Sequence, residues 1–459
     1  MFLVIPESNA QSTPESSPNH SESCMATVKK LRPWIPVIVC AIAAAGMYVR
    51  SARPTRADAA LPLAAGTPGG APTSRDGLAR TIAALERRIA DEPGTGVAAA
   101  RLADALLRQA RATGKGGLAI QAEGALRAAI AAGPSYEAQR MLGAVLASQH
   151  RFRDAIAAAK RARAIEPADA WNDGVIGDAH LELGEYDAAF IAFDAMMRKR
   201  PSAAAYGRAS FARELQGDLA GGVQLMQMAL DATSAHDPES QAWHHAQLGD
   251  LHQHRGHLAD AERESRHTLF TYEDHPLAVA GLARFDAARG DLAAALAGYA
   301  KLQASAATPE YAARMAEIEQ AIGRPDDAAR HFALAEQGWR SNMPEPAYLA
   351  RLLARDRGRA AEALRVAEQA AVSRQDIFTM DAVAWAAFRA GDMARAVEAS
   401  RLALRTGTRD RALLYHAAAI AAASGDRTRA RVLVTRALDG HPTFDVVLAP
   451  EAHALLASL

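Results

Sequence analysis

The sequence predicts an all-α solenoid built from stacked helix-turn-helix units, and two observations lead to that fold class. First, characteristic residues in the stretch 136–201 recur after 34 residues: Leu142-Gly143 corresponds to Ile176-Gly177, and Pro167 corresponds to Pro201. A fixed period of this length is typical of stacked helical hairpins. Second, half of the 459 residues are apolar, alanine is abundant, and aromatic residues make up only 5%. This composition favours helices that pack closely through small side chains.

The chain before the repeats divides into three predicted segments. Residues 1–30 are rich in Ser, Pro, Asn and Glu, which predicts disorder, and whether translation begins at Met1 or Met25 stays open. Residues 31–50 contain an uncharged apolar run, for which we prefer an uncleaved membrane anchor. A signal peptide cleaved near Ala57-Asp58-Ala59 is the second interpretation, and a buried soluble helix is the third. Residues 51–75 form an Ala/Pro/Gly linker.

The orientation of the predicted anchor rests on its flanking charges. Three basic residues precede the apolar run and three follow it: Lys29, Lys30, Arg32, Arg50, Arg53 and Arg56. The numbers of basic residues on the two sides are therefore equal. Because the N-terminal segment is short and basic, we expect it inside the cytoplasm and the repeats outside. We therefore expect a single-pass membrane protein with extracytoplasmic repeats. Cys24 and Cys40 both precede the repeats, so the array holds no disulfide.

The ends of the array depart from the period, as terminal repeats usually do. Residues 78–89 carry apolar side chains at the spacing of one buried helix face, which predicts a capping half-unit. The first full pair is predicted over 97–111 and 118–131, with a longer joining loop than later pairs have. Residues 443–459 predict a C-terminal capping helix.

A left-handed turn residue is predicted between the two helices of each later unit. These positions are His150, Gly184, Gly217, Gly256, Gly290, Gly323, Gly358, Gly391 and Gly425. Glycine adopts the left-handed conformation at a helix C-terminus without steric cost. The spacing is 33 to 35 residues except for one of 39, between Gly217 and Gly256, which places an insertion at 234–240. We expect this insertion in a loop between units, where added residues are tolerated.

The second helix of each unit carries a small residue at a fixed position, which lets it close on the first helix. These residues are Ala155, Ala189, Gly222, Ala261, Ala295, Ala328, Ala363, Ala396 and Ala430. Proline then ends several of these helices, as at Pro167, Pro201 and Pro442, because it lacks the backbone donor.

Taken together, these marks make residues 76–442 resemble the tetratricopeptide repeat family, in which a Leu-Gly pair, an aromatic, Ala, a second aromatic and Pro recur within about 34 residues. Nine repeats are clear, besides the loop-extended first pair. The resemblance implies a right-handed α-solenoid whose activity is protein binding. Several units depart from the Leu-Gly pair, namely at Ala209-Ser210, Leu282-Ala283, Ala350-Arg351 and Ala417-Ala418. Arg351 leaves the register of its repeat open.

Charge and motif content argue against nucleic-acid binding and catalysis. The 52 basic and 52 acidic residues balance, and no basic stripe runs along the repeats, so no nucleic-acid partner is expected. The array has no cysteine nucleophile and no glycine-rich phosphate loop after a strand. We therefore predict that the protein is not an enzyme and uses no cofactor.

Histidines are concentrated in one repeat. Eight of fifteen lie in a short stretch: His236, His244, His245, His252, His254, His257, His267 and His275. Only His254 and His257 have a helical ligand spacing, and Gly256 ends the helix between them. We therefore interpret His245 and His252 as packing residues and assign no metal site. An accessory subunit that binds a metal or small ligand through this repeat is the alternative function.

The resemblance implies that certain first-helix positions line a concave groove. Carried over repeat by repeat, these are Arg140, Trp171, Asp178, Phe211, Trp243, Asp250, Arg284, Glu317, Tyr348, Trp385, Phe388 and Tyr415. Large aromatic side chains facing a groove can anchor a peptide or a partner helix. The expected function is a membrane-anchored scaffold that binds a protein partner there, with envelope complex assembly as the expected process.

Overall fold

The computed structural model describes residues 75–459 apart from residues 93, 114–116, 306 and 343–344. This part of the chain contains 22 α-helices and no strand. The helices are α1 Arg75–Asp91, α2 Gly96–Thr113, α3 Gly117–Ala132, α4 Tyr136–Ser148, α5 Phe152–Ile165, α6 Trp171–Glu182, α7 Tyr186–Lys199, α8 Ala203–Leu215, α9 Leu219–Asp231, α10 Pro238–His254, α11 Leu258–Thr271, α12 Pro276–Ala288, α13 Leu292–Ser305, α14 Pro309–Ala321, α15 Pro325–Gln337, α16 Pro346–Leu353, α17 Ala360–Ser373, α18 Ile377–Ala390, α19 Met393–Ala403, α20 Arg411–Ala423, α21 Arg427–Leu438 and α22 Leu448–Ser458.

The helices form the predicted right-handed α-solenoid of helix-turn-helix repeats. Each even-numbered helix from α2 to α20 packs against the odd-numbered helix that follows it; we call these the A and B helices of a repeat. This gives the nine clear repeats and the first pair that the sequence predicts. The first helix, α1, packs on α2, and the last, α22, packs on α21.

Small residues bring the two helices of a repeat together. Ala155 and Ala189, on B helices α5 and α7, are completely buried. A Cβ atom added to Gly177 on α6 would meet the Phe193 ring and lie 3.2 Å from the carbonyl oxygen of Ala189. The glycine of the Leu-Gly pair is therefore required by the close approach of helix B.

The A helices line the inner face of the solenoid. Adjacent A helices pack directly on one another, as α4 packs on α6 and α18 on α20, whereas successive B helices are not in comparable contact. Helices that touch their equivalents in the next repeat lie at the smaller radius of a curved stack. The inner surface is therefore made of A-helix side chains.

The turn residues confirm the predicted left-handed conformation, with one exception. Gly184 and Gly425 have φ of +73° and +89°, and His150 adopts φ of +59° without being glycine. Gly358 does not have a positive φ, so the prediction was wrong there. Its A helix, α16, has only 8 residues, and a 3-10 turn over Arg357–Arg359 leads into α17. Gly358 instead donates its N–H to Asp356 Oδ1 at 2.8 Å. This is the repeat in which Arg351 left the register open.

The solenoid also contacts itself along a seam, where A–B turns of early repeats meet loops of later ones. The Ile377 N–H donates to the Tyr186 hydroxyl at 2.8 Å across a separation of 191 residues, or between five and six repeats of about 34 residues. Nearby, the Arg374 guanidinium lies 2.7 Å from Glu182, and His150 Nε2 lies 3.2 Å from Glu345. The repeat period does not predict these contacts.

The seam continues towards the C-terminus. Arg411 donates to the carbonyl oxygen of His254 at 3.1 Å, and Thr443 donates to that of Ala288 at 2.8 Å. The insertion at 234–240 makes a comparable long-range contact, since Arg108 Nη1 on α2 lies 3.3 Å from Glu239. The inserted segment thus contacts the first repeat through the ion pair of Glu239 with Arg108.

The localisation prediction requires correction. Among the described residues, no helix is long and apolar enough to cross a membrane. The longest, α2, has 18 residues and carries Arg101, Asp104 and Arg108, whereas a span needs about 20 predominantly apolar residues. The predicted segments 1–30 and 31–50, and all of the predicted linker 51–75 except Arg75, fall outside the described residues; Arg75 is the first residue of α1. A single-pass membrane protein is therefore not retained.

Candidate binding groove

All twelve residues predicted to line the groove lie on A helices, but they differ in exposure. Trp171, Asp178 and Tyr415 are buried, with 3%, 6% and 6% of their surface exposed. Tyr348 is the most open, at 37%. The others are half-buried: Arg140, Phe211, Trp243, Asp250, Arg284, Glu317, Trp385 and Phe388. The three buried side chains therefore support the wall of the groove and offer a ligand almost no surface.

Charged residues of the groove form ion pairs between neighbouring repeats. Arg140 Nε lies 2.6 Å from Asp169, in the loop before α6. Arg284 pairs with Asp250 of the preceding A helix. Glu317 accepts from Arg355 of the following repeat at 3.3 Å. Several charged side chains that were predicted to contact a ligand thus form ion pairs with a neighbouring repeat.

One of these pairs is buried. Arg208, only 1% exposed, donates from Nε and Nη2 to both carboxylate oxygens of Asp178 at 2.8–3.0 Å, and its Nη1 donates to the Ala204 carbonyl oxygen. Burial raises the pKa of Asp178, and the Arg208 charge opposes that shift. The guanidinium also lies 5.5 Å from the centroid of the Trp171 ring. Arg208 was not among the predicted groove residues.

Aromatic side chains gather on the last A helices. The rings of Trp385 and His416 stack with centroids 4.2 Å apart, and Phe388 and Tyr415 lie 5.4 and 6.0 Å from Trp385. The Tyr415 hydroxyl donates to Glu451 of the capping helix at 2.8 Å. We call Trp385, Phe388, Tyr415 and His416 the aromatic cluster. It spans α18 and α20 and leaves Trp385 and Phe388 half-open.

A polar network lies beneath this cluster. His416 Nδ1 is 3.0 Å from both oxygens of Asp381, and Arg351 Nε approaches the same carboxylate at 3.6 Å. Burial alone would raise the pKa of Asp381, but the His416 ring holds it below its usual value. The residues of this network come from three A helices, so no spacing within one repeat predicts it.

Tyr348 stands apart as an exposed aromatic ring held in place from below. It stacks on Trp339 with ring centroids 5.7 Å apart and an interplanar angle of 13°. The Arg351 guanidinium lies 5.3 Å from the Tyr348 centroid. Because α16 packs on α18, Tyr348, Trp385 and Phe388 lie on adjacent A helices. We call these three side chains the open aromatic patch, in which Trp385 and Phe388 are in ring contact with each other and Tyr348 is in ring contact with Trp339.

A cavity of about 200 Å³ lies on the seam, and Arg284 and Glu317 are among its lining residues. His441 and Arg411 also line it. Within the described structure, neither His441 ring nitrogen nor Arg411 Nε has a hydrogen-bond partner. Burial, with the nearby Arg411 and His254, lowers the pKa of His441 to about 4. These atoms could hydrogen-bond to a small polar molecule.

The His-rich repeat brings together more side chains than its sequence spacing suggested. His245, Glu264 and His267 form one group, drawn from α10 and α11. His252, His257 and Asp260 form another, drawn from α10, the turn and α11. His244, by contrast, is buried next to Thr233, and burial lowers its pKa to about 4. Ligand spacing within a single helix could not reveal groups that two helices share.

Comparisons with known proteins find likeness in fold. No protein-family model and no curated protein matches the sequence. Human IFIT1, solved as a dimer with m7Gppp-AAAA, aligns over 79% of this chain and 86% of its own, with 12% identity and a TM-score of 0.46. PilW, a type IV pilus biogenesis factor, covers 45% of this chain and 94% of its own, with 19% identity and a TM-score of 0.38.

A tetratricopeptide repeat protein from Parabacteroides merdae ATCC 43184 covers 55% of this chain and 97% of its own, with 18% identity and a TM-score of 0.40. All three TM-scores are below 0.5 and all three identities below 25%. None of these proteins therefore indicates a partner or process for this chain.

Proposed function

We propose that the protein is a binding scaffold that holds a segment of a partner protein against the open aromatic patch, without catalysing a reaction. The observation that carries this proposal is the exposure of Tyr348, whose ring stays at the surface while Trp339 supports it from below. Exposed aromatic rings on a rigid support are the side chains that most often anchor protein partners.

The electrostatics of the inner surface favour a protein partner over a nucleic acid. Nucleic-acid affinity depends on cations that are free to neutralise phosphates. Here Arg208, Arg284 and Arg355 each lie in an ion pair with a carboxylate of a neighbouring A helix. A partner segment with apolar or aromatic side chains would fill the patch without breaking these pairs.

Capture of the tagged full chain after crosslinking in cells tests this proposal. We expect one protein to be enriched with the wild type and reduced at least tenfold with Tyr348→Ala, because anchor aromatics contribute about 2 kcal/mol or more to binding. Tyr348 is a safer probe than Trp385, which packs against two core clusters and whose loss would disturb the fold.

Phe270→Ala is the matched control. Phe270 lies on a B helix and is 93% exposed, so its removal takes away more surface aromatic area without touching the inner face. Both variants should keep the far-UV circular dichroism of the wild type. Equal capture by Tyr348→Ala and wild type, or recovery of nucleic acid in place of a protein, contradicts the proposal.

A further inference from the structure

The A–B turn of the His-rich repeat holds three side chains that can ligate a metal. His252 lies in the last turn of α10, His257 caps the start of α11, and Asp260 lies in the first turn of α11. Gly256, with φ of +78°, reverses the chain between them. The ligand atoms of the three side chains all lie within 4.8 Å of one another.

The distances in this group suit a shared cation better than hydrogen bonds. Asp260 Oδ2 lies 3.8 Å from His252 Nδ1 and 3.7 Å from His257 Nδ1. Hydrogen bonds between such atoms are about 2.7–3.2 Å long. A tetrahedral zinc ion, about 2.0–2.2 Å from each ligand, holds the ligand atoms about 3.4 Å apart. The Asp260 oxygen therefore needs to move only a few tenths of an ångström relative to each histidine nitrogen to reach the spacing of a zinc site.

Two further observations show that ligand atoms of this group are available for binding. The other oxygen of Asp260, Oδ1, accepts from Arg263 Nη1 at 2.8 Å, which leaves Oδ2 directed to the histidines. Such outer contacts orient the ligands of metal sites. His252 Nδ1 is buried and has no hydrogen-bond partner within the described structure.

The neighbouring group is a weaker candidate. His245 Nδ1 and Glu264 Oε2 are already 2.8 Å apart, at hydrogen-bond distance, so a cation would have to break this contact. In the first group no hydrogen bond joins the two histidines to Asp260, and its other side is open because His257 is exposed.

We propose that His252, His257 and Asp260 form a zinc-binding site, with water completing the coordination. Two imidazole nitrogens and a carboxylate oxygen are a donor set that suits Zn²⁺. The ion would tie the end of α10 to the start of α11. This turn also lies at the seam, where Gly256 approaches the Gly440 carbonyl oxygen. The site does not depend on the proposed groove function.

Calorimetric titration of zinc chloride into the chelator-treated full chain tests the site. We expect micromolar or tighter binding that His257→Ala and Asp260→Asn each weaken at least tenfold. The His257 and Asp260 side chains are partly exposed, at 46% and 37%, so these variants should fold, and circular dichroism checks this. His236→Ala, which removes an exposed histidine outside the group, should bind zinc as the wild type does.

Zinc should also raise the thermal unfolding midpoint of the wild type and of His236→Ala, but not that of His257→Ala. The absence of zinc uptake, or wild-type affinity in both His257→Ala and Asp260→Asn, overturns the proposal. Loss of binding in His267→Ala together with full binding in His257→Ala also overturns it, because the ion would then belong to the neighbouring group.

Discussion

Replacing Gly217 by alanine should lower the free energy of unfolding by about 3 kcal/mol, because the new methyl group meets two obstacles. The first is the backbone, since φ of +76° costs an L-residue about 1–2 kcal/mol. The second is the seam: the added Cβ would lie 2.5 Å from the Gly407 carbonyl oxygen, which belongs to a repeat between five and six periods later. Urea denaturation followed by circular dichroism measures the loss.

Gly323→Ala measures the first obstacle alone, so the difference between the two variants gives the cost of the seam contact. Gly323 has φ of +77°, but an added Cβ would have no atom within 4 Å. This variant should lose only about 1 kcal/mol, because the strain is partly offset by the lower entropy of the unfolded chain. If the two variants lose equal stability, the seam contact at Gly217 does not form in solution.

Arg208→Met should cost about 3–5 kcal/mol, because it leaves the Asp178 carboxylate buried without its partner. Methionine retains much of the volume of the arginine stem, so it leaves little cavity. The loss of stability is therefore due mainly to the missing charge and hydrogen bonds. Both partners are almost fully buried and their guanidinium–carboxylate contacts measure 2.8–3.0 Å. Urea denaturation of the variant and of the wild type measures this loss in the free energy of unfolding.

The double variant Asp178→Leu, Arg208→Met is the control for this prediction. Removing both charges leaves no unpaired carboxylate in the interior, so the double variant should be more stable than Arg208→Met alone. A double variant that loses the sum of the two single losses would show that Asp178 and Arg208 do not act as a pair.

The fold could be predicted because its determinants recur locally. The turn glycines and the small B-helix residues act within one repeat, so a period of 34 residues reports them directly. His150 shows that the position matters more than the residue type, since it takes the same conformation with φ of +59°. Gly358 shows the converse, because a short A helix shifted the turn away from it.

The seam could not be predicted, because it depends on the superhelical pitch. Small changes at every repeat interface add up before residues such as Tyr186 and Ile377 meet, 191 positions apart. The seam cavity and the insertion contact to Arg108 follow from the same long-range geometry. No local pattern in the sequence encodes it.

The helix on which each predicted groove residue lies could be predicted, but not the exposure or the partners of its side chain. The family register placed all twelve residues on A helices, yet it could not show that Arg208 lies close enough to bury the Asp178 charge. Likewise, it could not distinguish Tyr415, which is buried and bonded to Glu451, from the exposed Tyr348. Exposure depends on the neighbouring repeats, which the register of a single repeat does not describe.

The central claim, that the open aromatic patch holds a protein partner, is tested most directly by site-specific photo-crosslinking in cells. A photoreactive phenylalanine derivative would replace Tyr348 in one variant and Phe270 in another. The proposal predicts a discrete protein adduct from position 348 and none from position 270. An adduct from position 270 alone, or the absence of any adduct at position 348, would contradict it and place the binding surface elsewhere on the solenoid.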